Sequence, residues 1–412
     1  VPSYELPSNI PGLSFLNPID TAAEYAPMLA QRNDVVIALT HIGFTTNPAS
    51  VEVDENVDTF LAQSVDDIDV IIGSHSHTNP ASGFGDYKFL PTILGSPDAT
   101  PVLVTQAYRY NTTLGEVVIG LLPKSDVKGA YEVISQAGRY ITVPIATVED
   151  PVIKAIVDPY QDLLNVYNNT EIGETTIPID ALTAFTQETN GANLQADASV
   201  WKLRDEGIDV DFHLSGAMTN RKIADTATIA TPYALKVSDM FMAMPYENSL
   251  VVMEMNGPQL KAVLERAYRN YYYYKHIPGY GGYSYYTTCM LDTDANNNIT
   301  YWDKYPELPD GNNVVALTVN GVNIDFTDAD QYYNVSSVNY LAAGACNFSN
   351  EGQTLWPLDQ IVSDTQFYVR DAVIEYVTHL TDTTGEPIHP IIEGRLIFNT
   401  GSFKIFMPVI SR

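Results

Sequence analysis

Residues 69–78 read Asp-Val-Ile-Ile-Gly-Ser-His-Ser-His-Thr, and this stretch decides the fold class that the sequence predicts. Its first half is a short apolar run, which is typical of a strand buried on both faces of a parallel sheet. Its second half turns polar at a glycine and carries two histidines in alternate positions. The same order occurs upstream, where the apolar run of residues 34–39 leads into Thr-His-Ile-Gly. The two runs therefore predict neighbouring strands with similar polar ends.

The pattern around these runs predicts an α/β (α+β) protein with two domains. A helix-compatible segment, residues 55–65, separates the two runs, and this strand, helix, strand spacing is that of a parallel or mixed sheet. Further strands are expected at residues 101–107 and 114–122, and a helix at 21–31. The predicted organisation is an incomplete α/β layer over 1–150, a helical linker over 151–171, a second mixed α/β domain over 172–402 and a tail strand over 403–412.

Elements of the second domain follow from helical spacing and turn residues. Helices are expected at 192–204, 258–272 and 367–379, with a strand at 248–257 before a Gly turn. The alternating run 314–324 contains Asn320-Gly321 and predicts a hairpin.

Charge and composition exclude several functions. With 50 acidic and 21 basic residues, the chain of 412 residues has a formal net charge of −29, which opposes binding of nucleic acid or anionic lipid. No run approaches 18 consecutive apolar residues, so no transmembrane segment is expected.

Strong acidity and only two cysteines suit an extracellular, periplasmic or cell-surface protein. Because the chain begins at Val1 without a signal-like segment, we expect it to be processed, trimmed or a fragment.

Three histidines follow the two predicted strands directly. His41 comes after the first strand, and His75 and His77 come after the second. The carboxyl ends of parallel strands share one edge, where ligands bind, and imidazole suits divalent transition metals. Histidines that merely cap strand ends are the simpler alternative for any one of them. Three on two successive strand ends favour a metal site.

At this point the sequence resembles the periplasmic and extracellular 5′-nucleotidase family, in which a calcineurin-like metallophosphoesterase domain precedes a C-terminal domain. Leu-Thr-His-Ile-Gly and Asp-Val-Ile-Ile-Gly-Ser-His-Ser-His-Thr resemble the last two metal-binding blocks of that family. Three blocks of the second domain are similar as well: ANLQADA at 192–198, MPYENSLVVMEMNGPQLKAVLE at 244–265 and NYLAAGACNF at 339–348.

The resemblance implies a hydrolase that uses two divalent metals, Mn, Zn, Mg or Ca, to cleave a nucleotide or other small phosphoester. His41, His75 and His77 would be metal-site residues. Tyr340 and, less directly, Tyr286 fall where the family places the two rings that stack on the base. A surface cluster of tyrosines explains Tyr286 equally well.

Departures from the family pattern point to an altered site. The family's amino-terminal metal-binding blocks are absent from these 412 residues, so only part of a dimetal site and no catalytic residue is expected, and the isolated chain should be inactive. The family's phosphate-contacting Arg position holds Thr219, with Arg221 displaced by two residues. Cys346 stands where the family has an Asp that meets sugar hydroxyls; it could instead pair with Cys289.

Two alternative functions remain open for this sequence. The altered positions also suit a non-catalytic surface protein that reuses the fold for binding or assembly, and hydrolysis of sulfur compounds or cyclic phosphodiesters suits the same fold.

A sheet with an uncovered edge further predicts association with an amino-terminal fragment or a second copy of the chain. Sequons at Asn111, Asn168, Asn298, Asn334 and Asn347 would carry glycans only in a host that modifies them.

Overall fold

The computed structural model describes residues 6–44, 57–77, 87–89, 102–217, 221–276, 290–303, 312–350 and 353–400. The chain divides into two units: Val1–Leu13 with Ile156–Arg412, called unit 1, and Ser14–Ala155, called unit 2. The amino-terminal residues depart from the predicted domain of 1–150. Leu6 is fully buried in the core of unit 1, and the Ser8 hydroxyl donates to Asp364 at 2.8 Å. Burial of Leu6 removes apolar surface from water, which no local pattern in this Pro-rich segment announced.

Unit 2 contains a four-stranded sheet, a hairpin and two helices. Its elements are α1 (Pro18–Ala30), β1 (Ile37–Leu39), α2 (Asp58–Ser64), β2 (Val70–Gly73), β3 (Tyr87–Phe89), β4 (Val102–Gln106), β5 (Thr113–Pro123) and β6 (Tyr131–Thr142). The sheet order is β1-β2-β4-β3, with β1, β2 and β4 parallel and β3 antiparallel. β5 and β6 pair as an antiparallel hairpin. The parallel strands bring the residues that follow β1 and β2 to one edge of the sheet.

A small apolar core holds α1 and α2 against this sheet. Its buried side chains include Leu61 on α2, Ile71 on β2, and Val102 and Val104 on β4. Asn17 caps α1 by accepting from the amides of residues 19 and 20, which satisfies amides that have no partner within the helix.

The edge strand of unit 2 exposes apolar side chains. β1 lies at the end of the strand order, where Ile37 is 47% and Leu39 is 78% exposed. Parallel strands are normally covered on both faces, and an uncovered apolar edge favours pairing with another strand.

Unit 1 is larger and includes most of helix α3 (Pro151–Asn168), within which the boundary between the units falls. Its remaining helices are α4 (Asn190–Asp205), α5 (Val237–Ala243), α6 (Gly257–His276), α7 (Asn339–Ala342) and α8 (Val369–Thr384). Its strands are β7 (Glu171–Thr175), β8 (Ile179–Asp180), β9 (Phe212–His213), β10 (Lys222–Ile223), β11 (Tyr233–Lys236), β12 (Ser249–Asn256), β13 (Asn297–Trp302), β14 (Val314–Val319), β15 (Val322–Asn323), β16 (Tyr332–Val338), β17 (Ser349–Asn350), β18 (Gln353–Thr354), β19 (Ile361–Tyr368) and β20 (Leu396–Asn399).

Two four-stranded sheets organise unit 1. One has the order β19-β12-β16-β9, and the other has the order β15-β14-β13-β20. The strand and helix predicted around the Gly turn are β12 and α6. Gly257, at the start of α6, approaches the backbone so closely that an added Cβ would lie 2.1 Å from the Asp325 carbonyl oxygen. The hairpin β14–β15 turns at Asn320 and Gly321. Both residues have positive φ, which is what a two-residue type I′ turn requires.

The predicted mixed α/β fold class is confirmed. Among the described residues, no helix combines the length and apolar character needed to cross a bilayer. The predicted tail strand, residues 403–412, lies outside the described residues.

Limited proteolysis should first cut the chain between residues 144 and 150. This segment has no regular structure and is exposed throughout; Ile145 is fully exposed and Val148 is 92% exposed. The end of the predicted linker is a poorer site for cleavage, because Glu171–Thr175 is a strand paired with β11, which protects it. Mass spectrometry of the first products tests this. First cuts inside residues 192–265 would contradict it.

Candidate functional site

His41 and His75 lie together at one edge of the unit 2 sheet. Their ring centroids are 5.3 Å apart, with an angle of 59° between the ring planes. His41 is exposed and His75 is half-buried. The structure therefore brings two of the three predicted metal-site residues into contact.

His77 lies on the same segment, with its ring facing Tyr110 at 6.2 Å. His75 and His77 have positive φ angles of 76° and 47°, a conformation that costs free energy for residues other than Gly. Within the described residues, no group of three or more His, Cys, Asp or Glu side chains has a metal-binding arrangement. His77 is thus a neighbour of the pair rather than a third member of one chelating set.

Hydrogen bonds between the two strand ends hold the pair. The Ser74 hydroxyl lies 2.9 Å from Nδ1 of His41, which leaves Nε2 of that ring as the nitrogen available to a ligand. The Phe44 amide donates to the Ser76 hydroxyl at 3.0 Å. The segments after β1 and β2 are therefore tied together on both sides of His75.

The surroundings of His75 and His77 favour the neutral form of both rings. Burial, followed by the nearby His41 and His77 rings, lowers the pKa of His75. Burial, followed by the charge of Arg109 and then by His41, lowers the pKa of His77. Neutral imidazole is the form that binds a metal, so these shifts favour ligation over protonation at neutral pH.

The pair fits a single divalent metal. A metal about 2.1 Å from one nitrogen of each ring, at a tetrahedral angle, places the ring centroids about 5 Å apart. The observed 5.3 Å agrees with that spacing. Two imidazoles are only part of a coordination shell, so further ligands have to come from water, substrate or other groups.

Asp58 lies buried beneath this edge. Its Oδ1 accepts from the Thr40 hydroxyl at 2.7 Å, while its Oδ2 is buried with no hydrogen-bond partner among the described residues. Burial, partly offset by the hydrogen bond from the Thr40 hydroxyl, raises the pKa of Asp58 to about 6. Nothing in the sequence pattern marks Asp58 as part of a site, because an Asp at the start of a helix is an ordinary, favourable helix-end charge.

The predicted substrate-binding residues lie in unit 1. Tyr340 stands in α7, half-buried against the main core. Arg221 is exposed immediately before β10, and its carbonyl accepts from the Ala181 amide at 2.9 Å. Arg221 also lines a cavity of about 20 Å³ whose other walls are mostly apolar. A cavity of that size holds about one water molecule, so it is not a nucleotide pocket.

Three predicted positions fall outside the described residues: Tyr286, Thr219 and Cys289.

The Cys346 segment is held in place by α6. Cys346 has a positive φ of 58°, and its carbonyl accepts from Asn270 Nδ2 at 3.0 Å. Arg266 donates to the Ser349 carbonyl at 2.6 Å and also to Asn347 and Asn350. These contacts fix the backbone of the block in which the family resemblance places Cys346 at the position of an Asp. Sequence spacing gave no signal for Arg266 or Asn270, because they lie about 80 residues upstream.

Much of unit 1 matches a known protein family. Residues 171–351 match the family model described as the 5′-nucleotidase, C-terminal domain. This part of the chain is a 5′-nucleotidase C-terminal domain. The resemblance to the 5′-nucleotidase family stated from the sequence is thereby confirmed.

Curated relatives extend the match over most of the chain. It is 27% identical to 5′-nucleotidase of Homo sapiens over 384 residues, which is 89% of this chain and 59% of that protein. It is 25% identical to the trifunctional nucleotide phosphoesterase protein YfkN of Bacillus subtilis, covering 94% of this chain and 23% of that protein. The chain thus spans about three fifths of the human relative and about one quarter of the bacterial one.

Solved structures of 5′-nucleotidases share the fold. A 5′-nucleotidase precursor from Thermus thermophilus is similar with a TM-score of 0.56 and 22% identity, covering 95% of this chain and 69% of that chain. A putative 5′-nucleotidase from Staphylococcus aureus is similar with a TM-score of 0.62 and 19% identity, covering 92% and 67%.

Proposed function

We propose that this protein is an exported, metal-dependent phosphoesterase of the 5′-nucleotidase family that acts on nucleotides or related small phosphoesters. The observation that carries the proposal is the His41–His75 pair, at a spacing that fits one shared divalent metal. The 5′-nucleotidase C-terminal domain supports the substrate class. The names of the human and bacterial relatives point to the same class.

The chemistry follows from the residue types at this edge. A divalent metal supplies positive charge that polarises a phosphoryl oxygen and favours the deprotonated form of a water molecule. His41, oriented through Ser74, and His75, kept neutral by burial, would hold it. Because the chain has a net charge of −29, positive charge at this edge is also what would draw a phosphate to an otherwise repelling surface.

Export and assembly are part of the proposal. The acidic composition and a similar protein described as snake venom 5′-nucleotidase of Naja atra support an extracellular, periplasmic or surface location. The exposed apolar side chains of β1 support pairing with an amino-terminal fragment or with a second copy of the chain.

Metal titration tests the site. We expect Co²⁺ or Mn²⁺ to bind weakly, with one equivalent in isothermal titration, because two imidazoles supply only part of a coordination shell. His41→Ala or His75→Ala should weaken binding at least tenfold. His379→Ala is the control, since His379 packs on Trp201 in unit 1, and it should change nothing. Tight binding of two equivalents would contradict a partial site.

A second candidate is a non-catalytic binding protein that reuses the fold. It is favoured by the resemblance that places Cys346 at the position of the family's Asp, and by Arg221, which lines a cavity that holds only about one water. Failure of the wild-type chain to bind either metal, together with retained binding of a nucleoside, would favour this candidate.

Nucleotide binding should depend little on phosphate. If no Arg reaches the phosphate, adenosine and AMP should bind with similar, weak affinity, and Arg221→Ala should change neither. Cys346→Asp should strengthen adenosine binding by roughly 10- to 100-fold, because a hydrogen bond to a charged group contributes about 1.5–3 kcal/mol. Asp also tolerates the positive φ at this position.

Calorimetry with adenosine and AMP on the four combinations of these two substitutions measures all of these effects. Micromolar AMP binding that survives Arg221→Ala would show that the predicted loss of the phosphate contact is wrong.

A further inference from the structure

Two buried polar side chains lie beneath the histidine edge, although neither comes from the segments that carry the histidines. Asp58 belongs to α2 and is fully buried, and Gln106 ends β4 and is 4% exposed. A buried carboxylate oxygen without a partner destabilises a fold, as does the burial of any unpaired polar atom. Asp58 Oδ2 is such an atom among the described residues, so packing alone does not explain an Asp at this position.

Asp58 joins the ends of β1 and β2. On one side its Oδ1 accepts from Thr40, the residue before His41. On the other side its Oδ2 lies against Gly73, two residues before His75, so closely that a Cβ at Gly73 would be 2.1 Å away. A side chain at residue 73 would collide with the carboxylate unless Asp58 moved. The carboxylate therefore sets the separation of the two backbone segments that carry the histidine pair.

Gln106 fixes the segment around His75. Its Nε2 donates to the Ser74 carbonyl at 2.8 Å and lies 3.0 Å from the Ser76 hydroxyl. The Ser76 hydroxyl in turn accepts from the Phe44 amide at 3.0 Å. Because His75 has a positive φ, this segment is strained and requires such bonds to keep its shape.

We propose that Asp58 and Gln106 are positioning residues that hold His41 and His75 at the spacing required by a shared metal. The inference rests on the metal site of the proposed function. Neither side chain touches the metal; each acts through the backbone of a histidine segment. Residues that orient metal ligands in this way typically change metal affinity by about 10- to 100-fold when removed.

The first experiment measures Co²⁺ binding by titration of the whole chain. Asp58→Ala and Gln106→Leu should each weaken binding at least tenfold. Asp58→Asn keeps the oxygen that accepts from Thr40, so its affinity should stay within about threefold of wild type. Asp69→Ala is the matched control: Asp69 accepts from the Val36 amide at 2.8 Å, at the opposite end of the same two strands, and its loss should not affect metal binding.

The second experiment uses metal-free protein and measures amide hydrogen exchange. The Thr40 amide donates to the Ile72 carbonyl and the Phe44 amide donates to Ser76. Asp58→Ala should speed exchange at Thr40 at least tenfold, and Gln106→Leu should do so at Phe44. Asp69→Ala should instead speed exchange at Val36 and leave the other two amides unchanged.

The two experiments separate failure of the inference from failure of the proposed function. Loss of Co²⁺ affinity and of local protection in Asp58→Ala, with recovery in Asp58→Asn, supports positioning. Wild-type affinity and protection in Asp58→Ala would overturn it, and equal loss of affinity in Asp58→Asn would show that the carboxylate acts through its charge. If the wild-type chain binds no Co²⁺, the proposed metal site fails, and unchanged exchange at Thr40 and Phe44 would overturn positioning as well.

Discussion

Replacing Arg395 with Met should destabilise unit 1 by about 3–5 kcal/mol, which is the usual cost of leaving a buried ion-pair partner uncompensated. Arg395 is 3% exposed and forms a bidentate pair with Asp197 at 2.9 and 2.8 Å. It also donates to Glu393 at 2.7 and 2.9 Å and to the Thr293 carbonyl at 2.9 Å. Methionine fills a similar volume but leaves the buried Thr293 carbonyl and the partly exposed Asp197 carboxylate without their donor.

Thermal and urea unfolding measure this effect, which corresponds to a fall in melting temperature of roughly 10 °C for a domain of this size. Lys222→Met is the control within unit 1, because the Lys222–Asp225 pair is exposed and its loss should not change stability measurably. A double-mutant cycle with Asp197→Asn isolates the pair. A loss below about 1 kcal/mol for Arg395→Met would show that water or a rearranged neighbour replaces the guanidinium.

The Arg395 network also shows what the sequence could not predict. Glu188 accepts from the amides of Glu393 and Gly394, which lie more than 200 residues later. No periodicity links such positions, because each local segment reads as an ordinary charged loop or helix start. The family blocks located the domain without showing which charges in it would be buried together.

Local patterns predicted much of the rest. Apolar runs ending in Gly located β1 and β2, and Asn320-Gly321 located the β14–β15 turn, because both signals arise from residues adjacent in sequence. The same reasoning placed His41 and His75 at one sheet edge. It could not find Asp58 or Gln106, since their partners come from separate strands, about 18 to 32 residues away.

Replacing Asp292 with Asn should make the folded protein less sensitive to alkaline pH. Asp292 is buried, its Oδ1 accepts from the Thr293 amide at 2.8 Å, and its Oδ2 has no partner among the described residues. Burial raises the pKa of Asp292 to about 7; the Thr293 amide and Arg395 oppose the rise, and Glu188 and Asp197 add to it. In the unfolded chain the same carboxyl has its ordinary pKa of about 3.9.

Proton linkage gives the direction in which the free energy of unfolding changes with pH. Between pH 4 and pH 7 the folded state holds the Asp292 proton that the unfolded state has lost, so this residue makes the free energy of unfolding fall as pH rises. One pKa unit corresponds to about 1.4 kcal/mol, so the residue's full effect above pH 7 is about 4 kcal/mol. From pH 5 to pH 8 its share is about 2–3 kcal/mol. Asparagine does not titrate, so the variant should lack this fall.

The measurement is the difference in unfolding free energy between Asp292→Asn and wild type, taken at pH 5 and at pH 8. Because the difference is formed at each pH, the titration of the other carboxylates cancels, and the advantage of the variant should grow by about 2–3 kcal/mol towards pH 8. Asp325→Asn is the control. Hydrogen bonds from the Thr327 amide and hydroxyl lower the pKa of the exposed Asp325, so its contribution is lost only as pH falls through that lowered pKa. Its difference from wild type should therefore stay constant from pH 5 to pH 8. The same constancy in Asp292→Asn would mean that Asp292 is already ionised in the fold at pH 5, with Arg395 outweighing burial.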